Sequence, residues 1–184
     1  VSSNTGSIKI GEMISNDKLY EYLTKFGIGS KTGSGLPGES RGILPKVADW
    51  SGTTAPTVAF GQGYSVTAMQ ATSVFATIAN NGVRVSPTVI AGTSDSSGNY
   101  TPSATRESVR VISPETAAQM RLMMESVVSV NGTAPSAAIP GYRVAGKTGT
   151  AQRIDDTCGC YRGYTASFIG FAPADKPAYV ISVT

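Results

Sequence analysis

The residues with the most capacity for chemistry in this 184-residue sequence lie in the run Gly146-Lys147-Thr148-Gly149-Thr150-Ala151, an ammonium group set among hydroxyls and glycines. Such a group suits an anionic ligand or a hydroxyl that must be polarised. Gly141 stands five residues before Gly146, so Gly141-x-x-x-x-Gly146-Lys147-Thr148 satisfies the letter of a phosphate-binding loop. That loop needs backbone amides free to approach phosphate and a helix immediately after it. Residues 142–145, Tyr-Arg-Val-Ala, instead alternate as a strand does, and Thr150-Ala151-Gln152-Arg153 followed by Asp155-Asp156 do not read as a helix. The lysine is expected inside a strand, and a nucleotide site is set aside.

Three further groups have reactive residue types with weaker context. Ser15-Asn16-Asp17-Lys18 is a Ser-x-x-Lys, but its serine or aspartate reads as a helix cap. Lys31-Thr32-Gly33-Ser34 repeats Lys-Thr-Gly within a glycine-rich stretch, where a chain reversal is the simpler explanation. Cys158 and Cys160 are separated only by Gly159 in a polar loop, and a disulfide over so short a span is expected to be strained. With no histidine in the chain they lack the four ligands of a structural zinc site, so no metal is expected.

The elements that must position Lys147 can be read from caps and periodicity. Asp17 opens a helix through Leu19, Tyr22, Leu23 and Phe26, with Gly27 as its stop. Residues 28–56, rich in Gly, Ser and Pro, form a long irregular segment. Thr67-Ala68-Met69-Gln70 has capping-box spacing and starts a helix with Met69, Val74, Phe75 and Ile78 on its apolar face, ended by Asn80-Asn81-Gly82. Ser113-Pro114-Glu115 opens another, running to about Ser129 with Met120, Met123 and Met124 directed to the core. Short strands are expected at 83–89 and 108–112, and longer ones at 143–153, 165–172 and 178–184. Residues 5–14 are too loosely patterned to assign. The fold class is α+β, an antiparallel sheet with helices.

Bulk properties narrow the partners. An apolar share of 40% supports a packed core, and a net charge of +3 without runs of like charge leaves no footprint for nucleic acid. No stretch approaches the roughly 18 continuous apolar residues of a membrane helix, and the first residues lack the pattern of a signal peptide. Neither end of the sequence looks like a natural terminus, so it reads as a piece of a longer chain.

Two of three motifs of the serine acyl transferases that include penicillin-binding proteins occur in the expected order, Ser2-Ser3-Asn4 and Lys147-Thr148-Gly149, the latter followed by Thr150. Phe26-Gly27-Ile28-Gly29 through Leu36-Pro37-Gly38-Glu39, Gly61-Gln62-Gly63-Tyr64-Ser65-Val66-Thr67-Ala68-Met69-Gln70, and Ser167-Phe168-Ile169-Gly170-Phe171-Ala172-Pro173 resemble stretches of the class B, monofunctional penicillin-binding proteins, the first being most similar to the cell-division member. The resemblance covers nearly the whole chain. It implies the C-terminal part of a single transpeptidase domain spanning residues 1–184, with the serine nucleophile and its lysine upstream of Val1.

The resemblance also implies roles. Ser2 relays a proton toward the leaving group, and Asn4 hydrogen-bonds the substrate amide and the upstream lysine. Lys147 keeps that network polarised. Thr148 and Thr150 hold the substrate carboxylate through their hydroxyls, the Thr150 amide serves the oxyanion, and Gly149 leaves the strand edge open to an incoming peptide. The expected reaction is cross-linking of peptidoglycan stem peptides, with septal use and acylation by β-lactams. No cofactor is implied, and the parent protein is expected at the extracytoplasmic face of a bacterial membrane, held by a membrane helix outside this sequence and meeting division-complex proteins. A β-lactamase or β-lactam sensor shares the motifs, and a scaffold homologue without its serine is the non-catalytic alternative. Trp50 is expected to pack the irregular segment onto the core. Tyr161, Arg162 and Tyr164 either touch a ligand or form a solvated hairpin tip.

Overall fold

Residues 143–172 alternate apolar and polar positions over two long runs, and such runs gain most by pairing with each other across a tight reversal. In a computed structural model, which describes residues 2–184, they do so: β5 (Ala145–Asp155) and β6 (Cys160–Ala172) are antiparallel, and β7 (Tyr179–Val183) adds to β6, giving the order β5-β6-β7. Ala145 stands opposite Phe171, Lys147 opposite Ile169 and Gly149 opposite Ser167. Both strands run further than their patterning suggested, so the polar stretch around the cysteines shrinks to the tip of a hairpin.

Among the described residues five α-helices accompany the sheet: α1 (Asn4–Gly11), α2 (Asn16–Lys25), α3 (Thr54–Ala59), α4 (Ala68–Ala79) and α5 (Pro114–Glu125). The start of α4 is the expected capping box, with Thr67 Oγ1 accepting from the Gln70 amide at 3.1 Å and Gln70 Oε1 accepting from the Thr67 amide at 2.8 Å. Its end uses Asn81 and Gly82, both at positive φ. Ser113 caps α5, with Pro114 in the first turn.

Helices α4 and α5 pack against one face of the sheet, where Ile78, Met124, Ala145, Phe171 and Ala174 form a buried cluster bordered by Phe75, Ala79, Ile112, Met120 and Val180. Met123 departs from expectation. It is 59% exposed, because its neighbour Met124 and Met120 one turn earlier take the inward face of α5. On the opposite face of the sheet, Tyr179, Ile181 and Val183 are mostly exposed and border an apolar groove of about 520 Å³ with Phe168, Val144 and Tyr142.

Between α4 and α5, β1 (Val83–Val85) pairs with β4 (Ser108–Arg110), as the short-strand reading required. The loop between them contains a hairpin of β2 (Gly92–Ser94) and β3 (Tyr100–Pro102) that the patterning did not reveal. Its turn is organised by Asp95, whose carboxylate accepts from the Ser97 and Asn99 amides at 2.9 Å. The irregular segment before α4 is tied down by Gln70, only 1% exposed, which donates to the carbonyls of Ser30 and Arg41 at 2.8 Å each. Trp50 is half-buried there, its indole N–H on the Pro45 carbonyl at 3.0 Å, which matches a packing role.

Candidate active site

The first described residues meet the lysine strand. Ser3 is the N-cap of α1, its hydroxyl accepting from the Gly6 amide at 3.1 Å, and this cap sets where the helix begins and leaves Ser2 just before it. Further along α1, Gly11 lies so near α3 that a Cβ there would sit 2.7 Å from that of Ala59, so the helix is seated at close approach. Lys147, two residues into β5, crosses to this corner and donates from Nζ to Ser2 Oγ at 3.2 Å, a contact between residues 145 apart in sequence. Nζ also donates to the Thr148 carbonyl at 3.0 Å. Partial burial at the strand pushes the Lys147 ammonium below its ordinary value of 10.5. Asn4 occupies the first turn of α1 beside Ser2; among the described residues its side chain forms no hydrogen bond.

The rest of the lysine motif is set by sheet geometry. Alternation places Lys147 and Gly149 on the helix-bearing face with Ala145, and Thr148 and Thr150 on the other. A Cβ at Gly149 would lie 2.5 Å from Ser167 Oγ on β6, so a side chain there would require the Ser167 hydroxyl to turn away. Thr150 is exposed, and β5 forms one edge of its sheet, with no strand on its outer side among the described residues. Thr148 Oγ1 donates to Thr133 Oγ1 at 3.3 Å. Thr133 sits between α5 and β5 and carried no signal in the sequence reading, because the contact joins a loop to a strand 15 residues away.

The competing motifs resolve into structural roles. Gly146, Lys147 and Thr148 lie within β5 and more strand follows them, so the phosphate-loop pattern has neither its loop nor its helix. Ser15 caps α2, accepting from the Lys18 amide at 3.2 Å, while Lys18 pairs with Glu21 at 3.0 Å. Lys31-Thr32-Gly33 is a reversal closed by Glu39, whose carboxylate accepts from the Thr32 hydroxyl, from the Thr32 amide at 2.6 Å and from the Gly33 amide at 3.2 Å. The Thr32 hydroxyl, with these amides, holds the Glu39 carboxyl below the usual range.

Cys158 and Cys160, whose role the sequence left open, are joined in a disulfide. The hairpin tip turns at Gly159, at φ +63, and brings the two Cα atoms to 5.2 Å, within the span a disulfide bridges. Tyr161 and Tyr164 are about two-thirds exposed, and Arg162 reaches Asp155 only at 3.7 Å, as a solvated tip would have them. Among the described residues no group of three or more His, Cys, Asp or Glu is arranged to hold a metal ion, and no helix is long and apolar enough to cross a membrane.

Ser2, just before the N-cap of α1, and Lys147 on the edge strand bring together two motifs that occur in the serine acyl transferases. The chain belongs to the penicillin-binding protein transpeptidase family, whose domain description matches residues 1–184. It is 46% identical over 190 residues to the penicillin-binding protein PbpB of Mycolicibacterium smegmatis, covering 99% of this chain and 29% of that protein. It is 40% identical over 187 residues to stage V sporulation protein D of Bacillus subtilis, covering 99% of this chain and 28% of the relative. Its fold superposes on penicillin-binding protein 3 of Mycobacterium tuberculosis, solved in complex with aztreonam, with a TM-score of 0.95 and 43% identity over 98% of this chain and 42% of that one. The class B reading and the α+β fold are borne out by these relatives. The chain spans less than a third of the length of the two curated relatives.

Proposed function

We propose that this chain is the proton-relay and substrate-carboxylate side of a serine D,D-transpeptidase that cross-links peptidoglycan stem peptides, of the septal class B type, with its nucleophile and lysine base upstream of Val1. The observation that carries the reading is the 3.2 Å contact from Lys147 Nζ to Ser2 Oγ, which joins two distant motifs into one cluster. In an acyl transfer the Lys147 ammonium keeps the Ser2 hydroxyl oriented and its oxygen ready to pass a proton to the departing amine. Asn4, two residues after Ser2, meets the substrate amide and the upstream lysine. Thr148 and Thr150 take the substrate carboxylate, and the Thr150 amide is an oxyanion donor.

The outer side of β5, unpaired among the described residues, suits an extended peptide added as a strand, main chain to main chain. A β-lactam occupying the same place acylates the same serine; the aztreonam complex of the mycobacterial relative supports this. The catalytic protein works outside the cytoplasm, anchored by a segment beyond this sequence, with stem peptides, β-lactams and division proteins as its partners. The test is kinetic. Joined to its native upstream sequence, the chain should transfer the acyl group of a D-alanyl-D-alanine thioester analogue to an added D-amino acid, and should release a bound penicillin only slowly. Rapid turnover of penicillin without acyl transfer would identify a β-lactamase instead.

A further inference from the structure

Thr133 is an exposed threonine on a segment whose backbone is unusually well fixed. The Gly132 amide donates to the Ser129 carbonyl at 2.8 Å and the Ala134 amide to the Val127 carbonyl at 2.9 Å, so the turn is closed on both sides of Thr133. No side chain fits at position 132, since a Cβ there would strike the Val127 carbonyl and lie 2.5 Å from the Ser126 carbonyl. Val127 and Ala134 are both buried, which anchors the two ends of the turn in the core. Glu125, the last residue of α5, takes Arg143 in a two-pronged pair at 2.7 and 3.0 Å, locking the helix end to the approach of β5. A turn so fixed aims one free hydroxyl, and that hydroxyl meets Thr148.

We propose that Thr133 is a positioning residue for the transpeptidase reaction: its hydroxyl holds that of Thr148 in the orientation that receives the substrate carboxylate. The proposal rests on the transpeptidase reading above. A hydroxyl has one proton to give and two lone pairs to offer. In the structure Thr148 spends its proton on Thr133. When a carboxylate arrives, Thr148 turns its proton outward, which brings a lone pair of its Oγ1 to face Thr133, and Thr133 donates its own proton to that lone pair. No covalent bond changes; the result is a chain of donors from Thr133 through Thr148 to the carboxylate, each bond polarising the next. The 3.3 Å separation is longer than the usual hydroxyl contact, as expected of a site that tightens when its ligand binds.

The experiment uses the protein joined to its native upstream sequence and compares acylation by benzylpenicillin with acylation by its methyl ester, which lacks the free carboxylate. Thr133→Val keeps the shape and removes the hydroxyl, and should slow acylation by the acid roughly fivefold, the usual effect of one neutral hydrogen bond, through weaker binding and not through the chemical step. The ester should react equally well with both proteins, Thr133→Ser should restore the rate to within about twofold, and Thr133→Val should add little in a Thr148→Val background. Equal rates for Thr133→Val and the unmutated protein would overturn the proposal, as would an equal loss on the ester or full additivity with Thr148→Val. If the unmutated protein is not acylated at all, the transpeptidase reading itself fails and the proposal with it.

Discussion

Gln70 offers the sharpest stability test, because a fully buried amide serves three backbone groups from two segments. Its side chain, 1% exposed, donates to the Ser30 and Arg41 carbonyls and accepts from the Thr67 amide, all at 2.8 Å. Gln70→Met fills nearly the same volume but satisfies none of them. Each neutral bond is worth about 1 kcal/mol net, and each buried group left unpaired adds to the cost, so the substitution should destabilise by about 3–4 kcal/mol. Gln70→Glu at neutral pH should be worse, since it keeps the acceptor for Thr67 but sets a carboxylate against two carbonyl oxygens. Denaturant unfolding of the protein joined to its upstream sequence measures both, with the shift read in the midpoint at constant slope. A loss under about 1 kcal/mol for Gln70→Met, or a Gln70→Glu protein as stable as the parent at pH 7, would refute the reasoning.

Other expectations follow from the site. Because burial lowers the Lys147 ammonium from its ordinary 10.5, the alkaline fall in acylation rate should begin below that value, as measured by a pH–rate profile. The same depression means that the unfolded chain holds this proton where the folded one has released it, so its contribution to stability is greatest above 10.5 and is lost as pH falls through the folded value. Gly146→Ala would drive a methyl into the Phe168 ring and to 2.9 Å from the Ile169 carbonyl, costing about 1–3 kcal/mol in unfolding measurements; Gly149→Ala meets only the rotatable Ser167 hydroxyl and should cost less. Replacing Cys158 and Cys160 together by serine should leave the penicillin acylation rate within about twofold, since a short closed loop at an exposed tip contributes little stability.

Where local signals set an element, they were legible. Thr67 with Gln70, and Ser113 with Pro114, mark helix starts by chemistry that needs no tertiary partner. Helix α1 was not legible because its two large apolar residues, Ile8 and Ile10, stand two apart and do not recur at helical spacing. The β2–β3 hairpin escaped for a similar reason: its residues are almost all exposed, and Asp95 organises the turn through its own side chain. Lys147 and Ser2 could be named from sequence, but their contact at 3.2 Å depends on how α1 lies beside β5. Thr133 belongs to that second kind of residue, visible only once a loop and a strand are seen together. The Cys158–Cys160 pairing was not legible because it depends on the hairpin reversal at Gly159.

The exposed Tyr179, Ile181 and Val183 and the groove beside Phe168 bear on how the chain behaves in isolation. An apolar face of this kind favours association, so the chain alone should be poorly soluble, as size-exclusion chromatography would show. A monomeric, cooperatively melting preparation would contradict that expectation.

In the proposed function these residues form one side of a serine acyl-transfer site whose nucleophile lies upstream. Labelling by a fluorescent penicillin, followed on denaturing gels for this chain alone and for this chain joined to its native upstream sequence, tests it most directly. A covalent band is expected for the longer protein only, lost when Lys147 is replaced by methionine. A band on this chain alone would place a nucleophile within these residues, and no band on either folded protein would mean that the site serves as a scaffold and not as a catalyst.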